Sequence, residues 1–63
     1  MAHSELDRAI MERAILLRRK HRLKIPDAIV AATALFHNIP LLTADRVFER
    51  VKDELLVVMY EIG

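Results

Sequence analysis

Asp27 and Asp45 are the residues of this sequence whose type and placement best suit chemistry. Asp27 follows Lys24-Ile25-Pro26, and Asp45 closes Thr43-Ala44-Asp45 after a short apolar run. Two carboxylates brought to one place could hold Mg2+ or Mn2+, which use one or two carboxylates together with waters and substrate phosphate oxygens. A cation so held would polarise a phosphate and help generate hydroxide for in-line attack on a phosphodiester. The same residues also have a plainer reading, in which Asp27 suits the first turn of one helix and Asp45 caps the next. The choice turns on whether the elements that carry them meet at one edge.

Those elements can be read from the pattern. A first helix is expected from about Glu5 to Arg22, with Ser4 as its N-cap, Glu5 and Asp7 at the positive end of its dipole and Arg18 to Arg22 at the negative end. Leu6, Ile10, Ala14 and Leu17 recur at helical spacing, flanked by Ala9 and Leu16, and form the predicted core stripe. Met11 and Ile15 lie on nearly the opposite side and predict a contact surface. Pro26 suits the first turn of a second helix running to Phe36 or His37, ahead of Pro40. No charged residue stands between Asp27 and His37, so that helix is expected to be buried all round, with Phe36 and Phe48 both in the core. Strand, helix and strand follow over Ile39 to Thr43, Arg46 to Asp53 and Leu55 to Tyr60. Continuous apolar strands of this kind predict a parallel pair covered on both faces. If the second helix packs antiparallel to the strand after it, Asp27 and Asp45 share the carboxyl edge of the sheet, where open α/β folds bind their ligands.

Composition sets the frame. The chain has 63 residues and no cysteine, so neither disulfides nor thiolate metal sites can support a core of this size. Oligomerisation is the expected support, through the second helix, the Met11 and Ile15 stripe or a sheet edge. Ten Lys and Arg against nine Asp and Glu leave a net charge of +1, which singles out no class of partner. No signal-peptide pattern or membrane-length apolar run is present, and the reading is a cytoplasmic protein with no membrane partner.

The stretch Lys24-Ile25-Pro26-Asp27-Ala28-Ile29-Val30-Ala31-Ala32-Thr33-Ala34-Leu35, followed by Thr43-Ala44-Asp45 and Phe48, resembles the C-terminal half of PIN domains, especially the VapC toxins of toxin–antitoxin pairs. The resemblance implies an α/β, three-layer fold of which this chain is one partial domain, ordered helix-helix-strand-helix-strand with a strand pair completed by oligomerisation. It implies an Mg2+- or Mn2+-dependent endoribonuclease that works as a homodimer or higher oligomer and is silenced by an antitoxin protein. On this resemblance Asp27 and Asp45 are catalytic, metal-binding acids, and Thr43 supports the turn that carries Asp45. The family also uses an early Asp and an early Glu with no counterpart ahead of Ser4, and Val47 stands where a further acid is common, so a weak metal site is expected.

Arg18, Arg19 and Arg22 could contact RNA phosphates, or could simply complement the helix dipole in solvent. His3, His21 and His37 are not at metal-ligand spacing and read as surface or capping residues. Three functions follow for comparison. They are a metal-dependent ribonuclease, an inactive PIN-derived module that self-associates or binds an antitoxin, and a basic nucleic-acid binder without catalysis.

Overall fold

The computed structural model describes residues 5–61, so the predicted cap Ser4 and the surface residue His3 lie outside the described residues, as does the side chain of Leu6. Helix α1 spans Glu5–His21 and helix α2 spans Ile25–Phe36. Strand β1 spans Leu41–Thr43, a 3₁₀ helix spans Arg46–Val51, and strand β2 spans Val57–Met59. The α/β class and the predicted order of elements are therefore present. The third helix is shorter than predicted and of the 3₁₀ type. Phe48 and Val51 are its buried residues, and their spacing of three is the repeat of a 3₁₀ turn, which sets both side chains on one face.

α1 and α2 form an antiparallel hairpin with the most extensive interface in the molecule. α1 contributes Ala14 and Leu17, with Ile10 packed beside them, and α2 contributes Ala28, Ala31 and Ala32. Side chains this small let the two backbones approach closely, so much of the core is alanine. The larger buried groups are Leu17, Leu23, Phe48 and Val51. Burying each of these contributes on the order of 1.5–3 kcal/mol, whereas each alanine adds well under half of that.

Both helices end in the same way. After α1, Arg22 adopts a left-handed backbone (φ 58°) and the Leu23 N–H donates to the Arg18 carbonyl at 3.2 Å. After α2, Asn38 is left-handed (φ 54°), the Ile39 N–H donates to the Ala34 carbonyl at 3.0 Å and the Asn38 N–H to the Leu35 carbonyl at 3.1 Å. These are Schellman turns, in which a left-handed residue lets the chain reverse while satisfying the last helical carbonyls.

Three packing expectations are corrected. α2 is not buried all round, since Ile25 is 57% exposed and Val30 and Phe36 are each 45% exposed. Phe36 therefore lies outside the core, with its ring meeting His37 edge-on at 5.7 Å, while Phe48 is buried as predicted. Leu16, placed on the flank of the core stripe, is 58% exposed, because α2 covers the Ala14 and Leu17 side of α1 and leaves that flank open. Met11 and Ile15 are exposed, as their position opposite the stripe predicts.

β1 and β2 pair in parallel, with Leu41 opposite Val57, Leu42 opposite Val58 and Thr43 opposite Met59. Leu41 and Val57 pack against the core, whereas Leu42 and Val58 face outward and no layer covers them among the described residues. No helix among the described residues is long and apolar enough to cross a membrane.

Candidate functional site

Asp27 is carried by the turn between the helices. The left-handed Arg22 reverses the chain, Leu23 anchors it in the core, and Lys24 is extended (φ −71°, ψ 156°) before α2 begins with Ile25 and Pro26. Lys24 provides no side-chain cap, and Asp27 is the acidic residue of the first turn, where unpaired N–H groups favour a negative charge. The Asp27 side chain is half-buried, and no described residue donates a hydrogen bond to it or pairs with its charge.

Asp45 is carried by a turn that braces itself. Its N–H donates to the Thr43 hydroxyl at 3.0 Å, and its own Oδ1 accepts from the Val47 N–H at 3.0 Å. Asp45 is thus the N-cap of the 3₁₀ helix, and its carbonyl also accepts from the Phe48 N–H at 3.2 Å. The Thr43 carbonyl accepts from Tyr60 N–H at 3.1 Å, which ties this turn to the end of β2. Capping engages one carboxylate oxygen and leaves the other to solvent, so the cap reading and the metal reading of Asp45 are compatible. Beside it, at the carboxyl ends of both strands, lies a cleft lined by Ala44, Arg46, Glu49, Met59, Tyr60 and Glu61.

The geometric premise for joining the two acids holds only in part. α2 lies chiefly on α1 and touches the 3₁₀ helix, while its approach to β1 is slight by comparison. The link between their supports runs instead through Arg50, whose Nη1 donates to the Arg22 carbonyl at 3.0 Å. Arg18, Arg19 and Arg22 are all exposed. Arg18 and Arg19 rim an apolar groove between the helices whose floor includes Met11, Ile15, Ile25 and Ile29.

Among the described residues, the set of three His, Asp or Glu side chains close enough to share an ion is His21, Asp53 and Glu54, whose ligand atoms lie within 4.8 Å of one another. Its wiring argues against a cation. Glu54 Oε2 already accepts from Lys20 Nζ at 2.9 Å and from His21 Nε2 at 3.0 Å, and an ammonium on that oxygen repels a metal. The Lys20 hydrogen bond, then that of His21, holds the Glu54 carboxyl below the usual carboxylate range, and the same Glu54 bond raises Lys20 above the usual lysine value. An ionised carboxylate only accepts, so it fixes the His21 hydrogen on Nε2. With its side chain 9% exposed, His21 is not the surface or capping residue that its spacing predicts, but a tie from α1 to the segment before β2. No local pattern marks it, because its partner is 33 residues away.

The family model described as PIN domain matches residues 1–54, a span that contains both Asp27 and Asp45. No curated protein and no solved structure matches the chain.

Proposed function

This chain belongs to the PIN domain family, which carries a nuclease-type function and a general dependence on divalent metal, and we propose on that premise that it is an endoribonuclease of the VapC toxin type. In this reading Asp27 and Asp45 are the acids of this chain that hold Mg2+ or Mn2+, RNA is the substrate, and the cytoplasm is the place of action. The observation that carries it is the Asp27 carboxylate at the head of α2, whose oxygens reach solvent and are bonded to no described residue, which leaves both free for a cation.

The donor chemistry fits a hard cation. Asp27 and Asp45 supply carboxylate oxygens with no lysine bonded to either, unlike the His21, Asp53 and Glu54 set with its resident ammonium. When bound, the cation supplies charge stabilisation at the phosphodiester. The residues of the chain supply position. Thr43 fixes the peptide that presents Asp45, the first turn of α2 presents Asp27, and Arg18, Arg19 and Arg22 contact RNA phosphates and set affinity rather than sequence choice. A second copy and an antitoxin protein are the proposed partners.

A second reading, a non-enzymatic module that self-associates or binds an antitoxin, is favoured by the open apolar groove between α1 and α2 and by the exposure of Met11, Ile15 and Ile25. The test is cleavage of a structured RNA by highly purified protein in Mg2+ or Mn2+, against EDTA and an Asp27→Ala/Asp45→Ala control. Metal-dependent cutting that the double variant loses supports the nuclease. Cutting no faster than that control sinks it and leaves the binding module.

A further inference from the structure

The 3₁₀ helix has Asp45 at its start and Arg50 in its last turn, and Arg50 reaches back to the peptide from which the other acid is suspended. Only one atom of the Arg50 side chain is involved. Its Nη1 donates to the Arg22 carbonyl at 3.0 Å, at the left-handed residue where the chain leaves α1 for α2. Everything else about that turn is backbone and packing. The Leu23 N–H closes on the Arg18 carbonyl, and the Leu23 side chain is buried in the core. Leu23 therefore fixes how deep the turn sits, and the Arg22 carbonyl is the group left to fix which way it faces. α2 then starts without a side-chain cap, so its first turn inherits its placement from this segment.

We propose that Arg50 is a positioning residue for the metal site, its guanidinium on the Arg22 carbonyl fixing the turn that presents Asp27 relative to the 3₁₀ helix that Asp45 begins. The inference rests on the reading of Asp27 and Asp45 as metal-binding acids. Arg50 touches neither acid and donates to no described side chain. It acts by limiting the relative motion of two short backbone segments, which matters because a cation that shares two carboxylates gains from both only when their separation is held. Arginine suits the task, since it stays charged at any working pH and its planar group can keep this bond while its remaining N–H groups face solvent.

The experiment measures Mn2+ affinity of the full chain by calorimetry, beside thermal unfolding without metal, for the parent, Arg50→Ala, Arg50→Lys, Asp27→Ala and the double variant Arg22→Asn/Arg50→Ala. Asn tolerates the left-handed backbone better than Arg, so the double variant returns stability without returning the tie. The expected result is Mn2+ binding weakened about fivefold by Arg50→Ala, the worth of one hydrogen bond net of solvent. The double variant should stay weak although its melting temperature recovers, while Arg50→Lys, which can still donate to the carbonyl, should recover most of the affinity. Unchanged affinity in Arg50→Ala, or affinity that recovers with stability in the double variant, overturns the proposal. If Asp27→Ala weakens Mn2+ binding in that same experiment, the metal-site reading survives that failure. If Asp27→Ala leaves Mn2+ binding unchanged, or the parent binds no Mn2+, both fall together.

Discussion

Replacing Arg22 by Asn should make the protein more stable, although it removes a charged residue from a basic run. Arg22 holds φ at 58°, a region that costs an ordinary L-residue about 1–2 kcal/mol because Cβ crowds the following carbonyl. Asn is several-fold enriched there, which corresponds to roughly 0.7–1 kcal/mol of relief. The molecule contains its own comparison, because the second Schellman turn already has Asn38 at the equivalent place, at φ 54°. Nothing else should be lost from the folded state. The Arg50 bond goes to the carbonyl of residue 22 and not to its side chain, and the Arg22 side chain is exposed. For a domain of this size, 1 kcal/mol moves the melting temperature by about 4–8 °C, so Arg22→Asn should raise it by about 3–8 °C. Circular dichroism melts at matched protein concentration measure this, the matching being needed because association alone shifts a melting temperature. A melting temperature that is unchanged or lowered would refute the reasoning, since the left-handed strain would then be absent or already offset by the side chain.

Glu54→Gln should flatten the acid side of the stability profile. The Glu54 carboxyl is held below its usual value by Lys20 and then His21, so its contribution is complete above about pH 4.3 and disappears as pH falls through the lower folded value. Urea midpoints between pH 6 and acid should fall less steeply in the variant, and parallel curves would show that the tie contributes nothing. Asp45→Ser separates cap from ligand: a serine still accepts from the Val47 N–H, so stability should stay within about 0.5 kcal/mol of the parent while Mn2+-dependent cleavage is lost. Cleavage that persists in a stable Asp45→Ser protein removes Asp45 from the site. Arg18→Gln/Arg19→Gln should weaken RNA binding at every sequence tested and reduce its salt dependence by about 0.7 for each single-strand phosphate that is no longer neutralised; an unchanged salt slope would return both residues to ordinary solvent.

What the sequence shows of the fold is what depends on local pattern. Pro26 and the uncharged stretch behind it mark α2, the spacing of Ala14 and Leu17 marks the buried side of α1, and Thr43-Ala44-Asp45 marks a strand end followed by a cap. The end of α1 is less legible, because the left-handed residue there is Arg22, where a glycine would have announced the turn. The exposure of Phe36 and Leu16 is invisible to periodicity, which orders the sides of a helix but does not say how much protein is available to cover them. The antiparallel packing rule brought Asp27 toward Asp45 through β1, whereas α2 rests mainly on α1. His21, Glu54 and Arg50 act across 28 to 34 residues, a range over which a single sequence has no pattern to offer.

The close alanine packing between α1 and α2 also bears on the order in which the chain comes together. It joins residues near one another along the chain, so the hairpin closes a short loop and carries little entropic penalty, whereas pairing Leu41 with Val57 must first close a longer crossover. The hairpin is thus the natural nucleus, and the strands, the 3₁₀ helix and the Glu54 and Arg50 ties consolidate on it. φ-values near zero at Ala31 and Ala32 with high values at Val57 would invert that order. Asp27 would take its place with the nucleus and Asp45 only with the last steps, so the proposed site would be complete only when folding is.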